Sequence, residues 1–161
     1  MFKNLTPGAI GIRCSWIEGL DLARDAGFEG ADLNLPEAQR LVEDQGLDAV
    51  RALFTDRGLR MGGWSFPTAW RGGDREFYES LALLPEQAEL AAALGCYRTS
   101  TWVLSFSDDL TRHEHFTRFV QRFRLCAEIL RDHGHRLGLE FIGPRTLRAG
   151  RKHGFVYTMD G

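Results

Sequence analysis

Short apolar segments alternate with longer amphipathic ones along this chain, and that alternation constrains the fold more than any single residue. Residues 9–12, 30–33, 59–64, 97–102 and 136–141 read as strands. Between them lie stretches with apolar residues three and four apart, the spacing that lines up one face of a helix. Phe77, Leu81, Leu84, Ala88 and Ala91 make one such stripe; Phe116, Phe119, Val120, Phe123, Ala127 and Leu130 make another. Helices are expected over 17–26, from Pro36, again after Gly46, over 74–94 and over 111–133, with Gly58, Gly95 and Gly134 as stops. Phe155, Val156 and Met159 predict the opening of a fifth helix from 152 onward. Strands that alternate with helices of this length pair in parallel through right-handed crossovers. The expectation is a single α/β domain over 1–161, with no linker and no low-complexity segment.

Composition narrows the function. The chain has 161 residues, 43% of them hydrophobic, with 20 Lys and Arg against 22 Asp and Glu. A net charge of −2, well mixed, offers no polyanion-binding surface, so nucleic acid is not expected as a partner. No apolar run approaches the roughly 20 residues that cross a bilayer, and the start of the chain lacks the apolar core of a signal peptide. Cys14, Cys96 and Cys126 form neither a CxxC nor a disulfide framework, which suits a reducing cytoplasm. There is no GxGxxG after the first strand, no Walker loop and no GxSxG elbow.

Glu140 is the leading candidate for chemistry. It closes the apolar run 137–142, just before Gly143-Pro144, at the downstream end of a strand where α/β proteins place their active groups. Its bland alternative is an exposed carboxylate paired with Arg145. Trp64 and Trp102 stand at the ends of the third and fourth strands, where an indole suits the C–H face of a sugar. Trp70, on the long loop 65–73, is a weaker candidate of the same kind. Arg145 suits a substrate phosphate or hydroxyl, as Lys152 does less well. His113 and His115 are two apart, and His133 and His135 straddle Gly134; neither pair has the i, i+4 spacing of two ligands on one helix face. Asp108-Asp109 reads as an acid pair at a helix start.

Gly138-Leu139-Glu140-Phe141-Ile142-Gly143-Pro144-Arg145-Thr146, followed by the stretch from His153 to Gly161, resembles the middle of the xylose-isomerase-like TIM barrels, the sugar phosphate isomerase/epimerase proteins. The helix ending Ala26-Gly27-Phe28-Glu29-Gly30 and the strand after it are similar to that family's opening. The resemblance implies a (β/α)8 barrel cut after about five strands, and so the N-terminal portion of a longer fold. It implies a divalent metal (manganese, magnesium or cobalt) held by Glu140 and by an Asp, a His and a Glu from three later strands. It also implies a sugar or sugar phosphate as substrate, with Glu140 as ligand and as an acid–base group beside a ketose carbonyl. Activity in this chain alone is doubtful on that reading, because one carboxylate does not hold a divalent ion. The competing expectation is a non-catalytic open α/β module that binds a ligand or partner at its strand ends. The endonuclease branch of the same barrels is disfavoured by the acidic charge. Open edges on the first and fifth strands predict self-association.

Overall fold

A computed structural model describes residues 1–159. Five strands form one sheet in the order β1 (Asn4–Leu5), β2 (Gly30–Leu33), β3 (Arg60–Ser65), β4 (Arg98–Val103), β6 (Arg136–Phe141). The pair β1–β2 is parallel, with Asn4 opposite Gly30, and β2–β3 is parallel, with Ala31 opposite Met61 and an irregularity between Ala31 and Leu33. Two short strands, β5 (Phe106–Ser107) and β7 (His153–Gly154), pair antiparallel by themselves. This is the parallel α/β arrangement expected of a TIM barrel taken through five strands. The helices are α1 (Trp16–Asp25), α2 (Leu35–Gln45), α3 (Leu47–Thr55), α4 (Asp74–Ala93), α5 (Arg112–Asp132) and the short α6 (Arg145–Arg148). The chain divides into two compact units: residues 1–65 with 86–99, and residues 66–85 with the chain from Ser100 on.

In the first unit local chemistry accounts for the element ends. Ser15 and Glu18 form a reciprocal cap on α1: the Glu18 amide donates to Ser15 Oγ at 3.3 Å, and the Ser15 amide donates to Glu18 at 2.8 Å. Asn34 caps α2 from the end of β2, and Pro36 occupies its first turn. Gly46, at φ +87, ends α2 and begins α3, a conformation that L side chains avoid. Leu20, Ala23, Val50 and Phe54 are buried, and each of the larger ones contributes about 1.5–3 kcal/mol relative to exposure.

In the second unit Thr111 and Glu114 repeat the reciprocal cap on α5. Phe123, Cys126 and Leu130 bury its stripe. The cap corrects the reading of Asp108-Asp109 as the acid pair of this helix start. Asp108 instead pairs with Arg151 at 2.8 Å.

Two further expectations fail. Residues 9–12 are not the first strand; Pro7–Ile10 is a 3₁₀ turn, because Pro7 presets a helical φ and Gly11, at φ +79, closes it. The true strand is two residues long, too short to show alternation. The tail is not an opening helix: β7 zips onto β5, Phe155 is buried and Met159 is 88% exposed. Backbone pairing with a distant strand overrode the helical spacing.

Candidate functional site

Loops at the downstream ends of β3 and β4 carry the most developed site, within the second unit. The loop after β3 is held by a buried cation. Arg122 is 4% exposed and donates to the Trp70 carbonyl at 2.6 Å, to the Gly72 carbonyl at 2.8 Å and to Asp74 at 2.5 Å, while its guanidinium lies 4.6 Å from the Phe77 ring. A buried guanidinium must find acceptors for its N–H groups. Here the loop backbone supplies them and is fixed in return. Trp70 then packs edge-on against Phe119 and Phe123, with centroids at 5.6 and 4.9 Å.

Next to this anchor is a pocket of about 360 Å³, lined by Arg71, Phe106, Asp108, His115, Arg118 and Phe119 among others. Arg71 lies between two indoles, 4.3 Å from Trp70 and 3.9 Å from Trp102. It donates to Thr101 Oγ1 at 3.3 Å and to the Trp102 carbonyl. Burial lowers its pKa from the ordinary guanidinium value. Arg118 donates to the Gly72 carbonyl at 2.5 Å. His115 stacks on Phe155 at 4.0 Å, and its Nδ1 is buried without a hydrogen-bond partner. Burial, and then the charge of Arg118, push its pKa down, which favours the neutral ring. The β5–β7 ladder closes one wall: Arg151 binds Asp108, covers Phe106 at 4.3 Å, and the Lys152 amide donates to Asp108 at 3.2 Å.

The residues singled out in the sequence are placed differently. Glu140 is exposed near the end of β6, and its carboxylate has no hydrogen bond or ion pair among the described residues. Arg145 is exposed at the start of α6 and does not pair with it; its neighbour Arg148 is the engaged one, over the Tyr157 ring at 4.0 Å. Trp64 is 2% exposed and is not among the residues lining the pocket. Trp102 is 46% exposed and reaches the pocket only through Arg71. His133 Nδ1 lies 2.9 Å from the Ile129 carbonyl at the end of α5. Burial pushes the Cys96 and Cys126 thiols up to about 11, away from nucleophilic use.

No group of three His, Cys, Asp or Glu side chains among the described residues is placed to hold a metal ion. Glu140 alone does not fit a divalent cation, which takes several oxygen ligands. Arg71 and Arg118 were missed. The readable signal was a pair of arginines four apart, Arg118 and Arg122, set into the apolar stripe of α5, where a solvated face carries no aromatics.

The profile of the xylose isomerase-like TIM barrel family matches residues 20–159, and the chain therefore belongs to that family. Among solved structures it is similar to a xylose isomerase domain protein from Alicyclobacillus acidocaldarius subsp. acidocaldarius, at 30% identity and a TM-score of 0.84, over 99% of this chain and 56% of that one. It is also similar in fold to an IolI protein solved with a zinc atom, at 14% identity and TM-score 0.70, over 89% of this chain and 52% of that one. A D-psicose 3-epimerase solved in the presence of D-fructose aligns at 12% identity and TM-score 0.67, over 96% of this chain and 55% of that one. The chain thus spans little more than half the length of these structures. Among curated proteins none matches it. No helix of the described residues is long and apolar enough to cross a membrane.

Proposed function

We propose that this chain belongs to a sugar isomerase/epimerase-type protein that takes a small sugar or sugar phosphate at the downstream ends of its strands. Glu140 is the group that moves a proton next to a ketose carbonyl. The observation that carries this reading is an exposed, uncompensated carboxylate at the end of a parallel strand in a family whose fold also serves epimerases. A carboxylate without an internal partner keeps its lone pairs available to a substrate C–H or hydroxyl. Trp102 offers an indole face to a sugar and Arg145 an exposed cation to its phosphate or hydroxyls; the same role for Trp64 requires its cover to open. A divalent ion (manganese, magnesium or cobalt) would polarise the carbonyl in such chemistry. Glu140 is the ligand proposed here; among the described residues no group of three His, Cys, Asp or Glu side chains is placed to complete the ion's coordination. The setting is a cytoplasmic one.

The test is epimerisation of ketoses with and without added divalent metal, for the unaltered protein and Glu140→Gln. Loss of at least about 100-fold in turnover, with ligand binding retained, is expected for an acid–base group. Turnover unchanged by the substitution would remove Glu140 from the mechanism. The second reading, a non-catalytic ligand-binding module, is favoured by the lack of a three-donor metal group among the described residues. Saturable sugar binding without any turnover would select it. Pairing of β1 or β6, the outermost strands, with another chain belongs to the same proposal, and a monodisperse 18.2 kDa monomer on size exclusion rules it out.

A further inference from the structure

We propose that the pocket at the downstream ends of β3 and β4 is an oxyanion subsite, in which Arg71 and Arg118 receive the carboxylate or phosphate group of a small ligand. This goes beyond the isomerase reading and stands even if Glu140 proves silent.

The charges point this way first. Two cations line the pocket, and neither has a carboxylate partner among the described residues; Arg71 and Arg118 donate only to hydroxyl and carbonyl oxygens. Of the two acids that line it, Asp108 is already neutralised by Arg151 at 2.8 Å. Asp109 is left as the single opposing charge, so the balance is positive. By contrast, Arg57, in the turn between α3 and β3, closes onto Asp21 at 2.9 Å.

Geometry adds to charge. A flat guanidinium held between two indole rings has lost most of its rotamer freedom before any ligand arrives, which lowers the cost of binding. Only one of its terminal nitrogens is used by Thr101 and Trp102. The remaining N–H groups present the fork that matches an oxyanion. Partial burial lowers its pKa from the ordinary guanidinium value, and a bound anion would favour the charged form. His115 lines the same pocket, its ring held by stacking on Phe155 at 4.0 Å.

The aromatic wall of Phe106 and Phe119 suits the carbon body of the ligand, and a volume near the lower end for ligand pockets limits it to a small one.

The experiment titrates metal-free protein with inorganic phosphate and with acetate, against chloride at equal ionic strength. The readouts are calorimetry and the Nε–Hε resonance of Arg71. A saturable shift above the chloride control is expected. Phosphate alone marks a phosphoryl ligand, acetate alone a carboxylate, and both a shared oxyanion site; any of the three supports the proposal. Arg71→Gln and Arg118→Gln should each weaken binding about tenfold, and Arg71→Lys, which keeps the charge but not the plane, by less. The resonance of the unaltered protein decides the matter if a variant fails to fold. No saturable response to either anion, or a response that both glutamine variants retain in full, overturns it. Neither readout requires turnover, so failure here is separate from failure of the role proposed for Glu140.

Discussion

The two compact units solve the same packing problem with different residues. The first brings small and aliphatic side chains close together: Gly30, Ala31 and Gly62 on neighbouring strands, with Leu20, Ala23 and Val50 buried, and adds only a few large rings such as Phe54 and Trp64. Its polar groups close on one another. Asp32 accepts from Asn4 at 2.8 Å and from Thr6 at 2.5 Å, and Arg57 and Arg51 each meet an aspartate. The second unit packs rings and guanidinium planes: Trp70, Phe77, Phe119 and Phe123 around Arg122, with Arg71 between two indoles. Planar cations stacked on aromatic faces can be ordered without using all their donors. Stacked arginines in the second unit keep donors free beside its pocket.

The largest expected effect breaks the second unit. Arg122→Met should cost about 2–4 kcal/mol, because the Trp70 and Gly72 carbonyls lose a buried partner. Asp74, 82% exposed, recovers its water and adds little. Chemical unfolding measures the loss, and protease cleavage within 66–73 locates it. A loss below 1 kcal/mol would mean that the aromatic cluster alone holds the loop.

A smaller effect sharpens the first unit. A methyl at Gly62 would run into the amide of Asn4, which Asp32 holds in place. Gly62→Ala should cost about 1–3 kcal/mol, and adding Asn4→Ala should restore part of it. If the double variant is no better than the single one, the close approach is not what makes the glycine necessary.

The smallest effect is a pH slope. His115 lies in the second unit. The folded pKa of His115 is lowered from 6.5, so the unfolded chain binds the proton more readily. Stability should therefore be fully present above about pH 6.5 and fall as the pH drops through the window between that value and the folded pKa. Thermal unfolding of His115→Gln across that range should show a flatter profile than the unaltered protein.

Much of the fold was readable. The strand 30–33, the strand 136–141 and both long helices follow from apolar period and glycine stops, which act within a few residues. The two-residue first strand was not readable, since Asn4–Leu5 has no period to detect. Nor was β7, whose partner lies more than 40 residues upstream. Of the candidate site, Glu140 stood out because its position is a local property of one strand end. Arg71 did not, since nothing in the chain around it tells a solvated arginine from one held between rings, and Arg118 was marked only by its spacing from Arg122 in the apolar stripe of α5.

Sequence by itself determined the class of fold and its longer helices and strands, because helical and strand periods and glycine turns are short-range. Tertiary structure alone decided which arginines met acids and which faced a cavity. That depends on where loops 66–73 and 104–111 come to rest against α5, a matter of long-range packing that no local pattern encodes.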